Sequence, residues 1–254
     1  MEKLYTYKGK GTLSVAVRGT GRFFSLLNLE KLSLKPVTKE SQLMNNQTIA
    51  GGQLDSLTEV ESVEVSIGGI TQFAPDVIAL LLKGGHKKVA AAEAKETITA
   101  YPGALAPVSK IIDWTKPVTV KTVADGKGTA AKDLTENTDF TRSAAGIRIL
   151  ASGDAGLVAD AGTKLEISYT SRDMNQIEAL TKANVELELL FEGLNAADGG
   201  APMVVRGWRC RLGAGGLDLM TDDFSKSDLE GKLLMDPAKL GDGISQFFVA
   251  QQAI

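Results

Sequence analysis

The sequence predicts a mainly β protein: antiparallel sheets forming a sandwich or barrel, one flanking α-helix, and a small β-sandwich inserted into the main domain. Three observations carry that expectation. Asn184 to Glu192 reads NVELELLFE, with Val185, Leu187, Leu189 and Phe191 on one face and Asn184, Glu186, Glu188 and Glu192 on the other. That is the period of a strand with one buried and one wet face. Only one segment, APDVIALLLKGG, combines clear helix start and stop signals. Residues 101–170 are broken by Pro102, Pro107 and Pro117 into short strands and turns, the pattern of a small sandwich. The expected division is a first half of the main domain over 1–106, the inserted module over 107–170, and a second half over 171–254.

Along the chain, TLSVAV and FFSLLNLEKLSLKPV flank a Gly19-Thr20-Gly21 turn. Leu27, Leu29, Leu32 and Leu34 keep a rough period of two that slips near Glu30, the signature of a bulge. Thr38 to Ser56 is polar and contains Asn45-Asn46 and Gly51-Gly52. It reads as a long loop, and a loop of that length inside a domain is functional or mobile. LTEVESVEVSIGGI is a strand in which Glu59, Glu61 and Glu64 do not share a face, so its phase changes near Ser62. Pro75 suits a first helical turn, Asp76 complements the positive end of the helix dipole, and Lys83-Gly84-Gly85 supplies a stop. VAAAEAKETITA reads equally as helix or strand. In the insert, VTVKTV (118–123), GIRIL (146–150) and KLEISYT (164–170) read as strands, with a turn at Asp125-Gly126. The tail is partly loop and ends in an apolar strand around Phe247 to Ala250.

Composition narrows function mostly by exclusion. The chain has 254 residues and a net charge of -3, with a pI near 5.4, which argues against a dedicated nucleic-acid binder. The opening MEKLYTYKGKGTLSV lacks an apolar segment of signal-peptide length, and no apolar run reaches the roughly 18 residues of a membrane-spanning helix. The expectation is a soluble chain made in the cytoplasm. The single cysteine, Cys210, reads as a buried structural thiol, and the single histidine, His86, as a solvated residue near a helix C-terminus. The glycine clusters at Gly9-Lys10-Gly11, Gly19-Thr20-Gly21 and Gly213 to Gly216 lack phosphate-loop spacing and read as turns. Asp222-Asp223 and Asp236 read as solvated loop acids, since no calcium-loop pattern surrounds them. Arg206, Arg209 and Arg211, near Trp208, read as a strand face pairing with Glu186 and Glu188. No group of acid, base and nucleophile emerges, so no catalytic, cofactor or metal residue is assigned and no enzyme is expected.

The chain resembles the major tail tube proteins of long-tailed, non-contractile bacteriophages. The likeness is carried by the N-terminal hairpin, the polar stretch 38–56 with the Val/Glu strand after it, and APDVIALLLKGG. It continues in LELLFEGLNAADGGAPMVVRGWRCRL and LDLMTDDFSKSDLEGKLLMDPAKLGDGISQFF. The insert, with NTDFTRSAAGIRIL, resembles the Ig-like modules of phage virion proteins.

This resemblance implies a tail-tube fold, self-assembly into stacked hexameric rings, and a conduit for genome DNA. It implies a place in the virion tail after assembly in the host cytoplasm, and the tape measure, tail tip and tail terminator proteins as partners. DNA would pass through the lumen without specific binding, and the insert would decorate the tube exterior. Thr38, Gln42, Asn45, Asn46, Gln53 and Asp55 are then the candidate inter-ring residues. Glu186, Glu188 and Glu192 are candidates for lining the lumen, where acidic charge repels DNA phosphates; a salt-bridged role with Arg209 and Arg211 stands open beside it. Two further readings compete: a tube of a secretion or injection system, and a carbohydrate- or receptor-binding sandwich. A hydrolase on a β scaffold ranks last.

Overall fold

The computed structural model describes residues 6–47, 49, 51–124, 131–150 and 162–253. The expected turn at Asp125-Gly126 lies outside the described residues. In chain order the elements open with β1 (Gly9–Val17), β2 (Phe24–Ser25), β3 (Lys31–Met44), β4 (Gln53–Ile70) and α1 (Pro75–Leu81). Next come β5 (Gly85–Val89), β6 (Glu93–Ala100), β7 (Leu105–Pro107), β8 (Thr119–Thr122), β9 (Asp133–Leu134) and β10 (Phe140–Ser143). They close with β11 (Gly146–Ile149), β12 (Thr163–Thr170), β13 (Met174–Glu178), β14 (Leu187–Asn195), β15 (Ala201–Leu212), β16 (Ser227–Leu233) and β17 (Phe248–Gln252). The fold is mainly β with one helix among the described residues, as the alternation predicts.

The chain divides into two compact units, one built from residues 1–86 and 177–254 and the other from 87–176. This moves both expected boundaries. The segment that read equally as helix or strand is strand β6, and it pairs with β12 along its whole length, from Glu93↔Thr170 to Ala100↔Thr163. Residues 93–106 therefore belong to the inserted unit and not to the main domain.

The first unit is built on one eight-stranded sheet, ordered β2-β1-β14-β15-β16-β4-β3, with β17 also paired to β15. Register carries one apolar row across it: Leu187 opposes Cys210, Cys210 opposes Leu233, and Leu233 opposes Val63. All four are buried. Leu13, Val15, Val65, Ile67, Leu229 and Leu212 extend this core, and α1 adds Val77 and Leu81. The helix forms where expected: Pro75 occupies its first turn with Asp76, and Ala74 precedes it in extended conformation without a side-chain cap. It stops because Lys83 turns to φ 48°, with the Gly84 amide donating back to the Ala79 carbonyl.

The second unit has a four-stranded sheet, β6-β12-β8-β9, and a three-stranded one, β10-β11-β7. Val120, Leu165, Ile167 and Tyr169 from the first sheet share one core with Ala106, Phe140, Ile147 and Ile149 from the second, so the two sheets form a sandwich. Gly146 is required here. Its φ is 153°, and a Cβ would stand 2.2 Å from the Ala106 carbonyl oxygen of the neighbouring strand.

Two other expectations change. The slip near Glu30 is no bulge: residues 26–30 form a connection in which Leu27 takes φ 63°, and β3 begins only at Lys31. The stretch 38–56 is no loop either. β3 and β4 pair from Lys31↔Gly68 out to Met44↔Gln53, forming a long hairpin closed over residues 45–52. The phase change near Ser62 is a register shift in that hairpin, where Val37 opposes Ser62 but Thr38 opposes Val60. Glu61 is the extra residue, so it breaks the strand's alternation.

Candidate assembly surfaces

The β3–β4 hairpin has two unlike halves. In β4, Val63, Val65, Ile67 and Ile70 are buried, whereas every described residue from 51 to 61 is exposed. Thr38 to Met44 on β3 are exposed as well. Beyond the shift at Glu61 the hairpin is thus a two-stranded arm wet on both faces, yet Leu43, Met44, Ile49, Leu54, Leu57 and Val60 stand on it as exposed large apolar residues. The candidate inter-ring residues all fall on this arm. Thr38 and Gln42 lie in β3, Gln53 and Asp55 in β4, and Asn45 and Asn46 at its end, where the Asn45 amide donates to the Gly52 carbonyl at 2.7 Å. Leu43 opposes Asp55 and Ser41 opposes Leu57, so Leu43 and Leu57 lie on one face as diagonal neighbours.

The three candidate lumen glutamates sit in different settings. Glu186 is a charge hub. Arg209 donates Nε to its Oε2 at 2.9 Å and Nη2 to its Oε1 at 2.6 Å, and Arg211 Nη2 donates to Oε1 at 2.7 Å. Arg18 Nη1 stands 3.8 Å from the same carboxylate, whose side chain is 21% exposed. The hydrogen bonds from Arg209 and Arg211 hold the Glu186 carboxyl down at about 2, against its usual 4.5. The salt-bridged alternative therefore describes Glu186. Glu188 is half-buried and accepts the Gly19 amide at 3.0 Å. Glu192 is exposed beside Thr12 and Val204, and no described residue donates to its carboxylate.

Arg206, Arg209 and Arg211 share a face only because of a bulge. Leu189 opposes Gly207 while Leu187 opposes Cys210, so β15 carries one extra residue between them. That insertion reverses the alternation between Arg206 and Arg209 and points both to the glutamate side of β14. Gly207 suits the site, since a Cβ there would meet Leu233 Cδ2 at 2.9 Å. Trp208, in the bulge, donates its indole N–H to the Ser245 carbonyl at 3.1 Å and lies 4.1 Å beneath the Lys239 ammonium. Trp114, by contrast, is exposed in the second unit.

Two loop expectations need correction. Asp236 is not solvated. It is buried, accepting Arg18 Nη2 at 2.7 Å and the Ala238 amide at 3.1 Å. Burial alone would raise its carboxyl pKa, but the Ala238 amide and Arg18 more than offset this and hold it below the usual range. No composition signal marks this; the pairing spans 218 residues of sequence. His86 is exposed as expected, but it does not sit at the helix C-terminus. It lies in β5, with Nδ1 3.4 Å from Asp76 of the first helical turn. Cys210 is buried as expected, and desolvation pushes its thiol up to about 12. Among the described residues no three His, Cys, Asp or Glu side chains converge in a metal-binding arrangement. No described helix is long and apolar enough to cross a membrane.

No curated protein matches the chain. A family model does match it, over residues 6–251. Nearly the whole sequence lies within that match, and the chain therefore belongs to the family described as protein of unknown function UCP028589.

Proposed function

We propose that this protein is a structural subunit that self-assembles into stacked hexameric rings, the tail tube of a long-tailed bacteriophage through which genome DNA passes. The observation that carries this reading is the β3–β4 arm. A two-stranded ribbon is marginal in water without a third strand or a packing surface, and this one holds exposed Leu43, Leu54, Leu57 and Val60 on strands that no described element covers. A second copy in an adjacent ring supplies the missing cover. Sheet edges point the same way. β3 is the terminal strand of the sheet, and continuing an edge into a neighbouring subunit removes its unpaired backbone groups.

Within such a tube, Glu188 and Glu192 are the glutamates suited to face DNA. Glu186 is already neutralised by its arginines and serves to lock β14 to β15. The partners expected of the assembly are the tape measure, tail tip and tail terminator proteins, with DNA sliding past without specific binding. The inserted sandwich corresponds in this reading to the Ig-like modules of virion proteins.

Negative-stain electron microscopy of the concentrated protein, alongside light scattering, tests the reading. Hollow rings or tubes with six-fold symmetry are the expected result. A particle that stays monomeric at high concentration and in the presence of a tail-tip initiator sinks it and favours a binding module.

A further inference from the structure

The connection from β15 to β16 poses a second unpartnered surface in the first unit. Leu219, Met220 and Phe224 are 83%, 95% and 86% exposed. Single exposed apolar residues are ordinary, but three within six positions form a patch that needs cover. Asp218, Asp222 and Asp223 stand among them; none forms a salt bridge with a described cation, and Asp223 acts on Lys226 only through its charge. Lys226, the nearest cation in sequence, is bound to Glu30 at 2.6 Å.

The same unit contains a cleft of about 870 Å³ beside α1 and the β1–β2 corner. That is within the roughly 300–1,000 Å³ range of pockets that enclose a ligand. Phe23, Leu80 and Leu212 supply apolar lining, and Arg22, Lys83 and Lys182 supply positive charge. The one carboxylate there, Asp76, faces His86. No residue from 214 to 226 lines the cleft of its own chain, so the loop does not fill it from within.

We propose that the 217–224 loop of one copy seats in this cleft of the next, placing Leu219, Met220 and Phe224 against Phe23 and Leu80 and Asp222 and Asp223 against Arg22 and Lys182. Apolar content matches apolar lining, and the two charges are opposite. Because loop and cleft are different surfaces, the contact is head-to-tail, the kind that closes into a ring or continues as a filament. The inference rests on the self-assembly proposed above and assigns one of its contacts.

Charge reversal on full-length chains tests it. One variant carries Asp222→Lys and Asp223→Lys; the other carries Arg22→Glu and Lys182→Glu. Each alone is expected to raise the concentration needed for assembly by roughly tenfold or more, through like-charge repulsion across the contact. Mixed in equal amounts they regain assembly, because every reversed loop then meets a reversed cleft and every native loop a native one. In parallel, differently tagged Leu219→Cys and Phe23→Cys chains are mixed and treated with a short bismaleimide. Cys210 is buried and stays silent, so a hetero-cross-linked dimer reports the contact itself. Rings formed by wild-type chain and by each reversed variant alike, or a mixture that stays unassembled, overturn the contact and leave the tube reading standing. Cross-linked dimers from chains that never form rings support the contact and overturn the tube. Chains that neither cross-link nor assemble overturn both.

Discussion

The two halves of the β3–β4 hairpin are the same pair of strands in two environments. From Lys31 to Val37 and from Ser62 to Ile70 the hairpin is part of a sheet, because β16 pairs with β4 over Val63 to Ile70. Its residues Val63, Val65 and Ile67 are buried. From Thr38 to Met44 and from Gln53 to Val60 it has no third strand among the described residues, and its apolar residues are exposed. The inner half of β4 alternates, while the outer half is mostly polar and does not, yet the ladder runs through both. What separates them is the neighbour. The inner half draws its stability from the core of its own chain, and the outer half has to draw it from elsewhere. In the assembly proposed above, folding and assembly thereby fall to different stretches of one hairpin, divided at the extra residue Glu61.

Mutations on the two sides of Glu61 should therefore fail in different assays. The largest effect is expected on the arm. Leu43→Asp combined with Leu57→Asp should abolish assembly in electron microscopy while leaving the melting temperature of the free chain unchanged, since neither side chain is buried in it. Rings that persist would show that the arm's apolar face is not an interface. On the inner half, Ile67→Ala should cost about 2–5 kcal/mol of stability in denaturant unfolding, the usual range for emptying a core position. A loss confined to assembly, with stability intact, would erase the distinction between the halves.

A smaller effect is expected at the charge hub. The folded Glu186 carboxyl is held at about 2 against a usual 4.5. A depressed carboxyl contributes stability that is present above the unfolded value and is lost as pH falls through the folded one. Glu186→Gln should therefore lower the melting temperature at pH 7, and the gap from wild type should shrink between pH 4.5 and about pH 2. A gap that is constant across that window would rule out the arginine pairing as its source. The smallest effect is expected from Lys35→Ala. Lys35 reaches Glu64 only at 3.9 Å, with side chains 75% and 49% exposed, and pairs of this kind contribute little. No measurable change in melting temperature or in assembly is the expected outcome.

Much of the first unit was legible in the residues. The alternation over 184–192 marked β14 because one face of that strand is buried and the other is wet. Pro75, Asp76 and the Lys83-Gly84-Gly85 stop marked α1 because they act locally. Ser62 announced a phase change, since an extra residue flips every side chain after it. The candidate surfaces were less legible. Thr38 to Ser56 read as a loop because it is polar, yet strand pairing needs only backbone groups, and the ladder continues through polar residues to Met44↔Gln53. Arg206, Arg209 and Arg211 read as one strand face, but strict alternation sets Arg206 apart from the other two, and only the bulge opposite Leu187 and Leu189 brings it to their side.

By itself the sequence determined the class of the fold, the site of its helix, the buried cysteine and most strand positions. All of these follow from local backbone preference and from one-sided burial, which repeat within a few residues. The tertiary structure alone decided which strands lie side by side, that β6 belongs with β12, that Asp236 is buried against Arg18, and that the outer half of a hairpin is left without a neighbour among the described residues. Those outcomes depend on contacts between residues far apart in the chain. A local pattern shows which face of a strand seeks cover, but only the assembled sheet shows where none is supplied.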